Sequence, residues 1–283
     1  MILDGRKIAA EIRSDIKIRV REWKRKPAIA FVLVGGHAAS VAYVNAKKKA
    51  CAEVGIGSVL LELADTVTER ELVRQIEALN KNEEIDGILV QLPLPKHISN
   101  QVVATAIVPE KDVDGLHPMN AGKLLLGEEG GFIPCTPLGI HVLLQKSQIG
   151  VSGKHVVIVG RGHLVGKPLA ALWMQKRSDC NATVTVVHRG TENLAKYTRD
   201  AEILVAAMGQ AHFIRKEMIR PKAVVVDVGI NRLANGKLVG DVDYDEVSKI
   251  ASHITPVPGG VGPMTIAMLL ENTMKGYMQR GLC

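Results

Sequence analysis

The chain has 283 residues, of which 47% are hydrophobic and 3% aromatic, and its formal net charge is +7. This length fits two domains of ordinary size, and a core of Val, Ile, Leu and Ala suits buried parallel strands covered by helices. Residues 1–20 carry charges throughout, unlike a signal peptide, and no stretch reaches the roughly 18 uncharged apolar residues of a membrane span. We therefore expect a cytoplasmic protein with no membrane partner.

The first third of the chain alternates helices with strands. Asp4 is the predicted cap of a helix over 4–24, and Thr68 with Glu71 forms a capping box that begins another. A β-α-β-α-β order predicts a parallel sheet. The predicted strands are 28–34, 58–63 and 85–90, and the remaining helices are 40–54, capped by Ser40, and 68–80.

The rest of the chain reads as a connection and a second α/β unit. Residues 109–137 are rich in Pro, Gly and Asp and predict a connection between domains, followed by a helix over 138–147. The order of buried strands and helices that follows predicts a Rossmann-like unit. Its predicted strands are 155–160, 183–189, 203–209 and 223–230, and its helices are 168–176 and, after PVPGGVGP, 265–280.

A glycine-rich loop joins the strand at 155–160 to the next helix. Gly160, Gly162 and Gly166 allow a tight turn and let backbone N–H groups approach a pyrophosphate at a helix N-terminus. Their spacing, G-x-G-x-x-x-G, is one residue longer than the usual fingerprint. A glycine-rich turn without a ligand is the alternative, but the strand–loop–helix–strand context favours a dinucleotide.

The end of the following strand discriminates between NAD and NADP. An NAD site normally carries Asp or Glu there for the ribose hydroxyls, whereas this strand ends in His188 and Arg189. Arginine can grip a 2′-phosphate that a carboxylate would repel, and Arg161 adds a second positive charge. The sequence therefore predicts NADP.

Three consecutive lysines, Lys47 to Lys49, follow Tyr43 on the helix predicted over 40–54. Tyr43 and Lys47 share a helix face, yet the helical projection favours burial of Lys48, and a solvated basic face is the alternative. A half-buried lysine has a pKa lowered toward neutrality and can move protons at pH 7. Further candidates, each more often structural, are Gln91 after a buried strand and Asp112 and Asp114 in a loop.

Charge and cysteine content add little. Residues 1–50 hold 12 Lys and Arg against 4 Asp and Glu, which suits solvated helix faces or an anionic small molecule better than a nucleic acid, since aromatic interleaving is lacking. No cysteines form a C-x-x-C pair, so we expect neither a disulfide framework nor a zinc site. Cys135, in PCTP, is interpreted as a small buried residue rather than a nucleophile.

Together these segments resemble the bifunctional methylenetetrahydrofolate dehydrogenase/cyclohydrolase family. The motifs span nearly the whole chain in family order, and QLPLP and PVPGGVGPMT are long and specific. They are Tyr43-Val44-x-x-Lys47, DGILVQLPLP (86–95), PEKDVDG (109–115), PCTPLGI (134–140), GRGHLVGKP (160–168), VVDVGINR (225–232), GDV (240–242) and ITPVPGGVGPMT (254–265).

The resemblance implies a role for each matching residue. Lys47 would transfer protons, mainly for hydrolysis, Gln91 would tune it, and Asp114 would anchor the pterin. Tyr43 would stack on the aminobenzoate ring. Val90, Leu92, Pro258, Gly259, Gly260, Val261 and Gly262 would line the folate site, and Gly160, Arg161, Gly162, Gly166, Arg189 and Ile230 would contact NADP.

The implied architecture is two α/β domains around one cleft. Residues 1–137 would form a folate-binding catalytic domain completed by the last helix, 263–283, and residues 138–262 an NADP-binding Rossmann-like domain. NADP would oxidise 5,10-methylenetetrahydrofolate to the methenyl form, which water would open to 10-formyltetrahydrofolate. This chemistry requires no metal, and the resemblance implies a homodimer with no nucleic-acid partner.

Some positions depart from the family, and other functions stay open. Many relatives have serine where Gly162 and Arg189 stand, and proline or glycine where Ala38 stands, so one phosphate contact would be missing at Gly162. A monofunctional dehydrogenase of the same fold is the nearest alternative. An oxidoreductase acting on an amino or hydroxy acid would leave QLPLP unexplained, and a basic nucleic-acid-binding protein would bind with steep salt dependence.

Overall fold

The computed structural model describes residues 1–281, which divide into two compact units. Unit 1 comprises Met1–Ala9, Leu124–Gly127 and Thr136–Thr265, and unit 2 comprises Ala10–Lys123, Glu128–Cys135 and the chain from Ile266 onward. The predicted domains were defined by the ligands they would bind, and those assignments remain predictions. Cys283 lies outside the described residues.

Helices and strands are numbered in chain order. The helices are α1 (Gly5–Glu22), α2 (Ala38–Val54), α3 (Glu69–Lys81), α4 (Asn100–Ala106), α5 (Pro118–Leu126), α6 (Cys135–Lys146), α7 (Gly166–Trp173), α8 (Leu194–Arg199), α9 (Tyr244–Val247) and α10 (Val261–Gln279). The strands are β1 (Ala28–Val34), β2 (Gly57–Leu63), β3 (Gly87–Val90), β4 (His155–Val159), β5 (Thr183–Val187), β6 (Ile203–Ala206), β7 (Val224–Asp227), β8 (Asn231–Arg232), β9 (Leu238–Val239) and β10 (His253–Ile254).

Unit 2 contains a parallel sheet in the order β2-β1-β3. Nearly all of β1 and all of β3 are buried, as expected for strands covered on both faces. Val32, Ile76 and Ile88 belong to a core cluster in which α3 packs against the sheet. The parallel sheet predicted for the first third of the chain is therefore confirmed.

Two predicted helix caps are confirmed and one is wrong. The Asp4 carboxylate accepts from the backbone N–H of Lys7 at 3.0 Å, and the Thr68 hydroxyl accepts from that of Glu71 at 3.2 Å. Ser40, predicted to cap α2, is instead a buried residue within it. The helix begins earlier because two alanines with high helix propensity precede Ser40.

Unit 1 contains a five-stranded sheet in the order β10-β7-β6-β4-β5, and every paired neighbour runs parallel. Its core cluster includes Val157, Leu204 and Val225. The chain start adds to the edge of this sheet, because the Leu3 N–H donates to the Ile254 carbonyl at 2.8 Å. This order confirms the Rossmann-like arrangement and places a topological switch point between β4 and β6.

Several predicted boundaries needed correction. The connection predicted over 109–137 contains α5, which begins at Pro118, a residue favoured in a first helical turn. Strands β6 and β7 end three residues earlier than predicted, because backbone N–H groups beyond them bond to the carboxylates of Asp241 and Asp227 rather than to a neighbouring strand. The short elements α4, α8, α9 and β8 to β10 were not predicted.

From Ile266 onward, α10 belongs to unit 2, as predicted for the last helix. Tyr277 stacks on Trp23 with ring centroids 4.8 Å apart, and Arg280 pairs with the buried Asp86 at 2.8 Å. Gly276 lies so close to the backbone that an added Cβ would meet the Asp86 carbonyl oxygen at 2.6 Å. In the described part of the chain, no helix is long and apolar enough to cross a membrane.

Candidate active site

Lys47 reaches from α2 to the end of β3. Its Nζ donates to Gln91 Oε1 at 2.9 Å, and the Gln91 amide nitrogen donates to the Leu92 carbonyl at 2.7 Å. The Gln91 backbone N–H extends the β3 ladder by donating to Val32 at 2.9 Å. Lys48, which the helical projection favoured, is half-buried like Lys47, and it is the hydrogen bond to Gln91 that distinguishes Lys47.

The surroundings of Lys47 change the acidity of several groups. Burial lowers the pKa of Lys47, and the nearby Asp114, Cys135 and Cys51 oppose that shift. Burial likewise raises the pKa of Asp114, against the effect of Lys47. The Cys135 thiol has a pKa well above its usual value because of burial and the Asp114 carboxylate, so it stays protonated. The site thus holds an amine that loses its proton more readily than an ordinary lysine.

The two aspartates of the loop before α5 have different surroundings. Asp112 is fully buried and accepts from the backbone N–H groups of Leu116 and His117 and from the Asn120 amide. Burial raises the pKa of Asp112 to about 6 despite these donors. Asp112 therefore shapes the loop, whereas Asp114 interacts with Lys47 and is the aspartate available for chemistry.

The remaining predicted folate residues of unit 2 differ in how exposed their side chains are. Tyr43 lies one helical turn before Lys47 and is 45% exposed, so its ring is free to receive a flat ligand. Leu92 is half-buried, while Val90 is packed in the core cluster of unit 2. Any contact between Val90 and a substrate would therefore use its backbone.

The glycine loop of unit 1 is shaped by two close backbone approaches. Gly160 has φ +128°, and an added Cβ would meet the Ala207 carbonyl oxygen at 2.2 Å. A Cβ on Gly166 would meet the Gly160 carbonyl oxygen at 2.0 Å, whereas one on Gly162 would meet nothing within 4 Å. The loop thus lies at the switch point between β4 and β6 and presents a compact backbone that suits a pyrophosphate.

The predicted side-chain contacts to the cofactor are at the surface of unit 1. Arg161 and Arg189 are exposed, and Ile230 is 49% exposed. Arg189 follows β5, which pairs with β4 at the edge of the sheet. The cationic groups are therefore available to an anionic ligand at the carboxyl ends of these strands.

Two buried carboxylates that the sequence analysis missed hold the neighbouring loops. Asp241 accepts from the backbone N–H groups of residues 208–210 and from the Asn231 amide, and Asp227 accepts from those of Gly229, Asp241 and Val242. Burial and the nearby Asp241 raise the pKa of Asp227 to about 7. The motifs VVDVGINR and GDV are thus explained by loop architecture.

The loop before α10 packs against the start of α1 within unit 1. The Gly259 carbonyl accepts from the Arg6 N–H at 3.1 Å, and an added Cβ on Gly5 would meet the Gly260 carbonyl oxygen at 1.8 Å. Pro258 is exposed, Gly262 is half-buried, and Gly259, Gly260 and Val261 are buried. The predicted folate residues are therefore divided between the two units.

His141, Asp179 and Cys180 are the one group of three potential metal ligands in the described part of the chain, with ligand atoms within 4.8 Å of one another. Trp173 Nε1 donates to His141 Nδ1 at 3.2 Å, so Nε2 carries the ring proton and faces Asp179 at 3.2 Å. A metal on Nε2 would move that proton to Nδ1, opposite the Trp173 donor. The group is better explained as a structural hydrogen-bond network.

The fold and these features define a dinucleotide-dependent α/β oxidoreductase with a second, catalytic unit. Residues 3–114 match the family model described as tetrahydrofolate dehydrogenase/cyclohydrolase, catalytic domain, and residues 134–281 match that of its NAD(P)-binding domain. The chain therefore belongs to the tetrahydrofolate dehydrogenase/cyclohydrolase family.

Relatives match over nearly their full length. The bifunctional protein FolD of Aquifex aeolicus is 53% identical, over 99% of this chain and 96% of that protein. A crystal structure of the bifunctional FolD dehydrogenase/cyclohydrolase from Campylobacter jejuni is 47% identical with a TM-score of 0.96, covering 99% of each chain. The Trypanosoma brucei FolD, complexed with NADP and inhibitor, is 39% identical with a TM-score of 0.94, covering 100% of this chain and 99% of that one.

These matches confirm the predicted family, fold class, enzyme class and cofactor. The chain is a bifunctional one-carbon folate enzyme, a dehydrogenase and cyclohydrolase that uses NADP. The bifunctional interpretation is supported over the monofunctional alternative.

Proposed function

We propose that Lys47, Gln91 and Asp114 carry the folate chemistry of this enzyme and that the glycine loop with Arg189 binds NADP. The observation that carries the proposal is the Lys47–Gln91 hydrogen bond of 2.9 Å, made by the amine of a half-buried lysine near Asp114. An oriented amine with a lowered pKa suits proton transfer at neutral pH.

In the oxidation, the protein mainly binds and orients. NADP, when bound, accepts a hydride from the methylene carbon of 5,10-methylenetetrahydrofolate, leaving the cationic 5,10-methenyl form. Tyr43 would stack on the aminobenzoate ring, and Asp114 would accept hydrogen bonds from the pterin. Hydride transfer needs close positioning of the donor carbon rather than a protein base, so Lys47 contributes less to this step.

In the hydrolysis, Lys47 would move the protons. Water adds to the methenyl carbon of the cation and loses a proton, and the bond from that carbon to N5 then breaks as N5 is protonated. The net reaction consumes one water and releases 10-formyltetrahydrofolate and one proton. A neutral Lys47 amine can take the proton of the attacking water, while Gln91 fixes the direction of Nζ.

The NADP contacts divide by chemistry. The backbone of Gly160, Gly162 and Gly166 would approach the pyrophosphate, and Arg161 and Arg189 would pair with the 2′-phosphate. Ile230 would contact the cofactor through its exposed apolar side chain. The fit is supported by the close backbone approach at Gly160 and Gly166, which leaves no room for a Cβ at either position.

The working form that we propose is a cytoplasmic homodimer, as the family resemblance implies, with a tetrahydrofolate derivative as its small-molecule partner. Light scattering of the purified chain at several concentrations measures the oligomeric state. A mass of one chain, about half of that expected for the dimer, at all concentrations would contradict the homodimer.

The enzymatic proposal is tested by two assays on one preparation. NADPH formation from methylenetetrahydrofolate and NADP⁺, compared with NAD⁺, measures oxidation and cofactor choice, and the loss of methenyltetrahydrofolate measures hydrolysis above the spontaneous rate. We expect both activities and a preference for NADP⁺. Oxidation without enzymatic hydrolysis would leave Lys47 without its proposed role.

A further inference from the structure

The backbone that leads into Asp114 is held by buried side chains. The carbonyl of Val113 belongs to the peptide bond that leads into Asp114, and the peptide is planar, so fixing this carbonyl restricts the backbone of Asp114. Two buried side chains donate to it: Asn272 Nδ2 at 2.8 Å and the Cys135 thiol at 3.3 Å. This carbonyl is therefore the point at which the loop is attached to the rest of unit 2.

Asn272 connects two segments at this point. Its amide also donates to the Ile133 carbonyl at 3.0 Å and lies 3.7 Å from Cys135 Sγ. The residue is only 3% exposed, on the part of α10 that belongs to unit 2. One turn later, Gly276 allows the helix to approach the backbone of Asp86 closely, which brings the short Asn272 side chain within reach.

The loop is already restrained on its other side. Gly115 has φ +71°, and its missing Cβ would lie 2.6 Å from the Pro134 nitrogen. Asp112, before it, is bridged to Ile88 of β3, the strand that leads to Gln91. The Val113 carbonyl lies between these restraints and accepts from Asn272 and Cys135, so loss of Asn272 would loosen Asp114 in particular.

We propose that Asn272 is a positioning residue for the hydrolysis step, holding Asp114 at the distance from Lys47 that the reaction needs. This inference rests on the proposed function of Lys47 and Asp114. Asn272 acts through the Val113 carbonyl and touches no substrate. Through Asn272, α10 supports the loop that carries Asp114 beside Lys47.

The test compares Asn272→Leu and Asn272→Ser with Thr273→Val. Thr273 is also buried on α10, but its hydroxyl bonds to Leu269 within the helix at 2.8 Å, so Thr273→Val is the matched control. Hydrolysis is measured across pH, with KM and kcat separated, and thermal unfolding is followed in parallel.

We expect the Asn272 variants to lose about 10- to 100-fold in kcat for hydrolysis, the scale of a misplaced catalytic group. The midpoint of the pH–rate profile should also move to lower pH. The charged and titratable groups that face Lys47 are Asp114, Cys135 and Cys51, and weakening the contact with the Asp114 carboxylate removes support for the ammonium form. Thr273→Val should change neither quantity.

A purely structural role would lower the unfolding temperature of both Asn272 variants and leave the pH midpoint in place, which would overturn the inference. Failure of both variants to fold would also count against it, because the effect would then not be specific to Asp114. The proposed function is judged separately on the wild-type chain: if that chain lacks hydrolysis, the proposed function fails before Asn272 is considered.

Discussion

The surroundings of Lys47 and the glycine loop at Gly160 prepare for chemistry in different ways. Around Lys47, side chains from distant segments meet: Gln91 from the end of β3, Asp114 from the loop before α5 and Cys135 from the start of α6. At the glycine loop, the surface that would meet the cofactor is backbone, which packs closely where Gly160 and Gly166 lack side chains. The first arrangement depends on charge and burial, and the second on steric room.

The largest expected effect is the loss of hydrolysis when the Lys47 amine is removed. Lys47→Met keeps the apolar stem and removes the amine, so hydrolysis should fall about 10²- to 10⁴-fold, the usual worth of a general acid–base group. Oxidation should fall much less. Lys48→Met is the matched control, since Lys48 is a half-buried neighbour on the same helix. Separate initial rates for the two reactions measure the effect, and an equal loss in both variants would refute the assignment.

A smaller loss, of stability and NADP affinity, is expected when the close backbone packing of the glycine loop is disturbed. Gly160→Ala places a methyl group 2.2 Å from the Ala207 carbonyl at a positive φ, which should lower the free energy of unfolding by about 1–3 kcal/mol. NADP affinity should fall with it. Gly150→Ala, at a glycine of unit 1 outside the loop where a Cβ meets nothing within 4 Å, is the control. Denaturant unfolding measures the stability of both variants, and cofactor titration measures their NADP affinity. Similar losses in the two variants would show that the close packing at Gly160 is not what the loop requires.

Side-chain charge enters the cofactor region at Arg189. Arg189→Asp should weaken NADP binding about 10-fold or more, because hydrogen bonds to a charged group contribute about 1.5–3 kcal/mol, while NAD binding changes little. Arg215→Asp makes the same charge change at another exposed arginine of unit 1. Titration with both cofactors measures the ratio of affinities, and a parallel loss for NADP and NAD would rule out a 2′-phosphate contact.

Asp114→Asn should lower the hydrolysis rate at least as much as the Asn272 variants do, and the smallest effect that we expect is the accompanying change in pH dependence. A carboxylate beside an amine favours the ammonium form, so Asp114→Asn should lower the pKa of Lys47 further and move the rising limb of the hydrolysis rate toward lower pH. Asp65→Asn removes an exposed carboxylate of unit 2 as a control. The hydrolysis rate measured across pH reports the midpoint, and a shift to higher pH would show that the sign of the interaction is wrong.

The same contrast explains how much the sequence could predict. The strand over 28–34, the Thr68 cap and the glycine loop follow from contiguous residues with a local physical meaning, and the structure contains each of them. Ser40 failed as a cap because local propensity favoured an earlier start. Helix α5 was hidden by a Pro- and Gly-rich composition that predicted a connection.

Hydrophobic periodicity could not predict the side-chain networks, because their members are far apart in the sequence. Lys47 is selected by Gln91, which lies 44 residues away, and the helical projection carries no information about that distance. Asp227 and Asp241 read as ordinary loop acids until their backbone donors are seen. Asn272 alone offered a local signal, because an amide within an apolar helix needs a buried partner. The individual site roles came from family resemblance and stay predictions.

The discontinuity of unit 2 has a consequence for biosynthesis. Strands β1 to β3 are synthesised early, yet Asn272 and Tyr277, both buried in unit 2, are synthesised only after the whole of unit 1. Most of unit 1 is a single uninterrupted stretch, 136–265, so it can fold while the nascent chain is still attached. Unit 2, whose sheet is synthesised first, is therefore completed after unit 1, and a truncation before Asn272 would damage the region around Lys47 rather than the dinucleotide fold.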